Sequence, residues 1–121
     1  MNILLIAIGG AIGSVGRYCL ASIIFRLTDA SFPFGILAVN VLGCAIFGVI
    51  AGTAAQRVAL SADARAFLLV GVLGGFTTFS TYAFDSVVLM RDGQWGLALL
   101  NMIGQVVLGV IALWGGMLLA R

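Results

Sequence analysis

Thr77, Thr78, Ser80 and Thr81 put four hydroxyls into five residues, in the middle of an apolar segment covering residues 66–90. Gly74 and Gly75 precede them, and Phe76, Phe79, Tyr82 and Phe84 are interleaved. A segment that must lie in apolar surroundings carries polar groups at its centre only where something compensates them. Glycines weaken a helix, and Ser and Thr hydroxyls satisfy freed backbone groups. A helix broken here presents two half-helix ends near the membrane midplane. Its free N–H groups draw anions and its free carbonyls draw cations. The rings either pack as ordinary core or turn the positive rim of their quadrupole to an anion. The chemistry such a stretch supports is ion binding and passage. Residues 71–85 are therefore read as a broken transmembrane helix that builds an ion path.

The other polar groups at membrane depth are few: Arg17, Asn40, Asp85, Asn101 and Gln105. Arg17 sits eight residues from the end of its apolar segment, about 12 Å deep at 1.5 Å per residue. It either snorkels to the interface or places a positive charge in a wet vestibule that attracts anions. Asn40 lies at a similar depth on the same side. It either ties helices together or points neutral N–H donors into a path, which suits an anion that must be held and then released. Asp85 pairs with an arginine or is solvated near its helix end. Asn101 and Gln105, one turn apart, hydrogen-bond the neighbouring span or continue a polar track. Among these, Asn101 leans towards structural glue. No His, carboxylate pair or nucleophile–base set accompanies them, so an enzyme is not expected. The usual Cys/His metal spacings are also absent.

The elements that must position these residues follow from composition. Of 121 residues, 63% are hydrophobic and only 8% charged, with a mean hydropathy of +1.25. Soluble domains carry about a quarter charged residues, so the class is integral membrane. The ten charges are six Arg and four Asp, net +2, with no basic run to suit nucleic acid. Four apolar segments, 3–25, 34–55, 66–90 and 96–120, each reach the roughly 20 residues that cross a bilayer. Backbone groups in lipid must pair internally, so the spans are helices; the expected fold is a single all-α four-helix membrane domain. Met1-Asn2 leads straight into apolar sequence without the marks of a signal peptide, so the first segment is expected to be kept as a span. Ser61-Ala62-Asp63 resembles a helix cap with an acidic first turn. Cys19 and Cys44 lie in apolar sequence and read as packing residues.

Orientation is nearly undecided by charge. Arg57, Arg65 and Arg121 fall on one side, and Arg17, Arg26 and Arg91 on the other. The positive-inside rule has nothing to act on, which favours copies inserting both ways and pairing antiparallel. Three small-xxx-small pairs, Gly9/Gly13, Gly48/Gly52 and Gly71/Gly75, add close helix contact within and between subunits.

These residues resemble the Fluc-type fluoride channels, the CrcB family, over essentially the whole chain. The marks are Gly9-Gly10-x-x-Gly13 followed by Arg17-Tyr18, the run Gly35–Asn40, and above all Gly74-Gly75-Phe76-Thr77-Thr78-Phe79-Ser80-Thr81. The resemblance implies a passive, fluoride-selective channel in the cell inner membrane that lets the ion leave the cytoplasm and so relieves fluoride toxicity. It implies an antiparallel dual-topology homodimer with two pores, each lined by both copies. By the same similarity Asn40 donates to fluoride, Phe79 belongs to an aromatic box, and Ser80 and Thr81 form the hydroxyl-bearing part of the pore. Gln105 is placed at the pore, and Arg17 in the vestibule. The backbone carbonyls of Gly74 and Thr77 hold a structural sodium ion that is not transported. One departure is Tyr82, where the family usually has a second pore phenylalanine; its hydroxyl either donates to the anion or narrows the pore. A small dual-topology multidrug transporter is the alternative, but that class relies on a carboxylate in its first span and this first span has none. A non-conducting membrane subunit explains the glycines but not the hydroxyl-rich run.

Overall fold

The computed structural model describes residues 2–28, 32–56 and 59–120. Arg57, Arg121 and Asp29, which entered the charge comparison or the first loop, lie outside the described residues. Among the described residues every regular element is helical. α1 (Asn2–Thr28) and α2 (Phe34–Gln56) are continuous. The third span, Ala62–Arg91, is composite. It begins as α3 (Ala62–Arg65), widens into a π-helical stretch (Ala66–Leu73), and tightens again as the single turn α4 (Gly74–Phe76). Thr77 and Thr78 follow in extended conformation, and α5 (Phe79–Arg91) resumes the helix. α6 (Trp95–Leu119) completes the chain. All four spans are long and apolar enough to cross a membrane, and the protein is a multi-pass membrane protein.

Local chemistry sets the ends. Ser61 Oγ accepts from the Ala64 N–H at 3.1 Å, so the third helix starts before its apolar run does. Thr28 Oγ1 donates to the Ile24 carbonyl at 2.8 Å and ties down the last turn of α1. α5 stops at a glycine-closed turn. Gly93 takes a positive φ of 77°, and the Gln94 N–H reaches the Leu89 carbonyl at 2.8 Å while the Gly93 N–H reaches Met90 at 3.0 Å. Only glycine adopts that conformation without cost.

Packing is set by glycines meeting backbone. α1 lies along the π-helical stretch and α4, and α2 lies along α6. A Cβ on Gly9 would stand 2.6 Å from the Phe67 carbonyl, one on Gly71 would stand 3.0 Å from Gly9 Cα, and one on Gly75 would stand 2.7 Å from the Gly10 carbonyl. A Cβ on Gly13 would strike the Val72 carbonyl. The Gly9/Gly13 and Gly71/Gly75 pairs therefore face each other across one helix crossing. On α2, Gly48 and Gly52 abut the Leu113 and Met117 carbonyls of α6, and α6 Gly116 abuts Ala45. With lipid outside there is no hydrophobic drive between helices, so close van der Waals approach must supply the cohesion. The large apolar side chains point outward instead: Ile3, Phe25, Leu27, Ile103, Val110 and Trp114 are all exposed.

Gly13→Leu is expected to force α1 off the third span and cost about 3 kcal/mol or more. Gly96→Ala, in the first turn of α6 with nothing within 4 Å of its added Cβ, should leave stability unchanged or slightly raised. Thermal denaturation of both variants in detergent micelles, followed by loss of the monodisperse species, compares them.

Candidate functional site

The interruption at Thr77–Thr78 follows from its residues. Gly74 and Gly75 are poor helix formers and two consecutive threonines favour extended backbone. Thr77 sits at φ −82°, ψ 154° and Thr78 at φ −148°, ψ 119°. Such residues within a membrane helix leave backbone groups that need partners. Asn40, on α2, supplies them. Its Oδ1 accepts from the Thr78 N–H at 2.9 Å, and its Nδ2 donates to the Thr78 carbonyl at 3.1 Å. One side-chain amide thus satisfies both backbone groups of one residue. Thr78 also caps α5. Its Oγ1 accepts from the Thr81 N–H at 3.2 Å, donates to Thr81 Oγ1 at 3.1 Å and lies 3.3 Å from Ser80 Oγ. Thr77 Oγ1 closes the preceding turn by donating to the Leu73 carbonyl at 3.0 Å.

These bonds have a consequence for α4. In a continuous helix the Gly74 carbonyl would accept from the Thr78 N–H and the Thr77 carbonyl from the Thr81 N–H. The first donor goes to Asn40 and the second to Thr78 Oγ1. These two main-chain oxygens, three residues apart, are among the carbonyls that the break leaves without helical donors. Gly74 is on the outside of the single chain and Thr77 is half-buried.

Asn40 links this junction to α6. Its Nδ2 also donates to Gln105 Oε1 at 2.8 Å. Gln105 Nε2 donates to Asn101 Oδ1 at 2.8 Å, Asn101 Nδ2 to Ser86 Oγ at 2.9 Å, and Ser86 Oγ to the Tyr82 carbonyl at 2.9 Å. Asn101 is fully buried, and Ser86 and Gln105 nearly so. Every donor in this chain points the same way, from Asn40 towards α5.

A cavity of about 340 Å3 opens beside Asn40. Gly74, Thr77, Thr78, Phe79, Tyr82 and Gln105 line it together with Asn40, and Cys44 and Phe47 of α2 complete one wall. The Phe79 and Tyr82 ring centroids are 5.5 Å apart and tilted by 49°. Phe79 is 78% exposed on the single chain. The Tyr82 hydroxyl donates to the Met102 carbonyl at 2.8 Å. It is thereby turned to α6, and what it offers the cavity is its ring. A second cavity of about 650 Å3 is lined by Arg17, Thr81 and Asp85 with Tyr18, Ser22 and Arg26.

Most of the residues singled out from the sequence thus gather at one junction. Asn40, Gly74, Thr77, Phe79, Tyr82 and Gln105 share the first cavity, while Arg17 and Thr81 share the second. Ser80 is exposed and touches the junction through Thr78. Thr78 and Ser86 carry more than their sequence context indicates. Thr78 stands out only as one of four hydroxyls, and its capping role is signalled by the Thr-x-x-Thr spacing to Thr81. Ser86 has a single weak signal, its place one helical turn after Tyr82.

The family model described as CrcB-like protein, Camphor Resistance (CrcB), matches residues 4–117. The chain belongs to the CrcB family. Among its relatives, the fluoride-specific ion channel FluC of Maridesulfovibrio salexigens is 43% identical over 98% of this chain and 94% of its own length. That of Nitratidesulfovibrio vulgaris is 46% identical over 96% and 94%, and that of Opitutus terrae 45% identical over 93% and 87%. The CrcB-family match spans all four helices, so the junction and both cavities lie inside the shared region.

Asn40→Leu removes the side-chain partners of both Thr78 backbone groups and is expected to destabilise the protein by about 1–3 kcal/mol. Tyr82→Phe removes one bond to a carbonyl that keeps its place in α6, and is expected to cost under about 1 kcal/mol. Denaturation midpoints in matched micelles distinguish the two.

Proposed function

We propose that this CrcB-family chain is a passive fluoride-selective channel of the cell inner membrane, exporting fluoride from the cytoplasm. The observation that carries this reading is the first cavity. The neutral amide side chains of Asn40 and Gln105 meet the rings of Phe79 and Tyr82 there, in a chain whose relatives are named fluoride-specific ion channels over nearly their full lengths. Neutral donors and ring edges hold an anion without the deep trap a lysine or arginine would make. Arg17, in the wider second cavity, concentrates anions at an entrance. Thr81, which lines the second cavity, and the exposed Ser80 offer hydroxyl donors.

The channel is an inverted dimer with two pores. Support comes from the outside of the single chain. Phe79 is a large ring left exposed beside polar groups, and Gly74, also exposed, lines the same cavity. A second copy in the opposite orientation covers both. The equal arginine counts on the two sides agree with insertion both ways.

The donor set also fits a structural sodium ion. Gly74 and Thr77 would hold it through main-chain carbonyls, because both oxygens have lost their helical donors to Asn40 and Thr78. Hard cations take oxygen ligands, and two carbonyls from each of two copies make a closed neutral set. When bound, the ion supplies cohesion between copies and a fixed positive charge at the interface.

The test is fluoride efflux from liposomes holding the purified protein, read with a fluoride electrode and with chloride as the comparison anion. Rapid fluoride efflux with little chloride release is expected. Phe79→Ile and Asn40→Asp are expected to reduce it to the protein-free leak while the dimer survives. Preparation without sodium should weaken the dimer and lower flux. Normal flux in both variants would remove the pore assignment, and proton-dependent transport would remove the channel.

A further inference from the structure

We propose that Gln105 is an anion-contacting residue whose amide turns over when fluoride binds, and that Asn101 and Ser86 are positioning residues that decide which end of that amide faces the cavity. This rests on the channel reading above.

The starting point is the hydrogen-bond chain from Asn40 to the Tyr82 carbonyl. Both Nδ2 hydrogens of Asn40 are engaged, one on the Thr78 carbonyl at 3.1 Å and one on Gln105 Oε1 at 2.8 Å. An anion in the cavity can reach an Asn40 donor only by displacing one of these acceptors. The Thr78 carbonyl belongs to the helix junction, whereas Gln105 Oε1 is the end of a side chain. The anion therefore competes with Gln105 Oε1.

If Oε1 is simply pushed aside, a buried acceptor is left beside an anion, which is repulsive. Turning the Gln105 amide over removes that conflict and brings its Nε2 donors to the anion beside Asn40 Nδ2. The rest of the chain can follow without losing bonds. Gln105 Oε1 then accepts from Asn101 Nδ2 once the Asn101 amide turns as well. Asn101 Oδ1 accepts from the Ser86 hydroxyl, which rotates away from the Tyr82 carbonyl. Before the reversal there are four bonds: Asn40 to Gln105, Gln105 to Asn101, Asn101 to Ser86, and Ser86 to Tyr82. After it there are also four, two of them to an anion and so charge-assisted. Ser86 is the hinge because a hydroxyl both donates and accepts. Without an anion the reversed chain would set Asn40 N–H against Gln105 N–H, so the empty site keeps the observed direction.

The exchange discriminates by acceptor strength. Only an anion that accepts hydrogen bonds better than an amide oxygen drives the reversal, and small, charge-dense fluoride does so more strongly than chloride. The sign of one variant separates this from a packing role. Ser86→Ala deletes two bonds of the resting chain, Asn101 to Ser86 and Ser86 to Tyr82, but only one of the reversed chain. It should therefore favour the anion-bound arrangement.

The test uses the full-length protein with 15N-labelled glutamine side chains in detergent micelles, titrated with sodium fluoride or sodium chloride, alongside efflux from liposomes. Gln105 is one of three glutamines, and its signal is identified by its loss in Gln105→Met. Fluoride, and not chloride, is expected to shift the Gln105 side-chain amide signal. In Ser86→Ala the half-saturating fluoride concentration should fall severalfold, and in Gln105→Met half-saturation of efflux should rise about tenfold. A Gln105 amide signal unmoved by fluoride while the protein still conducts it would overturn this inference and leave the channel standing. Absence of efflux with a fluoride-dependent shift would keep the anion contact and remove the channel. Weaker fluoride binding in Ser86→Ala would reduce Ser86 to packing and overturn its positioning role.

Discussion

The structure depends on one side-chain amide completing one residue's backbone. Thr78 is extended within a membrane span, where its N–H and carbonyl lose their helical partners and must find others. Asn40 takes both, at 2.9 and 3.1 Å. That pair makes the interruption tolerable, and the interruption makes everything else at the site. It redirects the Thr78 N–H from Gly74, sets Thr78 as the cap of α5, and leaves the Gly74 and Thr77 carbonyls free of helical donors. Phe79 and Tyr82 then leave the first turn of α5 together, close enough to form one aromatic wall.

The same amide couples α2 to α6. Gln105, Asn101 and Ser86 continue from Asn40 as a polar seam that is buried between helices otherwise held by glycine contacts. No buried side-chain polar atom among the described residues lacks a hydrogen-bond partner. In a low-dielectric interior such a seam is stable only when complete, and it is complete because each amide is both donor and acceptor. An alternation of Asn and Gln can be passed through in either sense, which a seam of carboxylates and ammonium groups could not be. Neutrality also fits the chemistry proposed for the cavity, since neither Asn40 nor Gln105 brings a charged side chain to an anion there.

The glycine crossings place the seam. α1 and the third span approach at Gly9, Gly13, Gly71 and Gly75, and α2 and α6 at Gly48, Gly52 and Gly116. With backbones this close, the two half-spans α4 and α5 are held against different neighbours, α4 against α1 and α5 against α6. A helix interrupted between two such anchors does not need to be straight. The side chains that would form the core of a soluble protein line the outside of this chain instead.

Much of this was legible in the chain by itself. The apolar fraction and segment lengths determined four membrane helices, because a spanning backbone has no other way to pair its polar groups. The Gly-Gly and threonine run marked where the third helix is weakest, since propensity there is local. The family resemblance also pointed to Asn40, Phe79 and Gln105. What the sequence left open were the pairings between distant residues. Whether Gly9 and Gly13 met Gly71 and Gly75, rather than another helix or another copy, depended on which spans became neighbours. Whether the Tyr82 hydroxyl entered the cavity or left it depended on the Met102 carbonyl, twenty residues away. The one-turn spacing of Asn101 and Gln105 suggested a link to the neighbouring span, but that Asn101 meets Ser86 was set only by their burial beside each other. Tertiary structure decided these points because a hydrogen bond between helices is set by rotation and register of both, and neither is written in the pattern of either one.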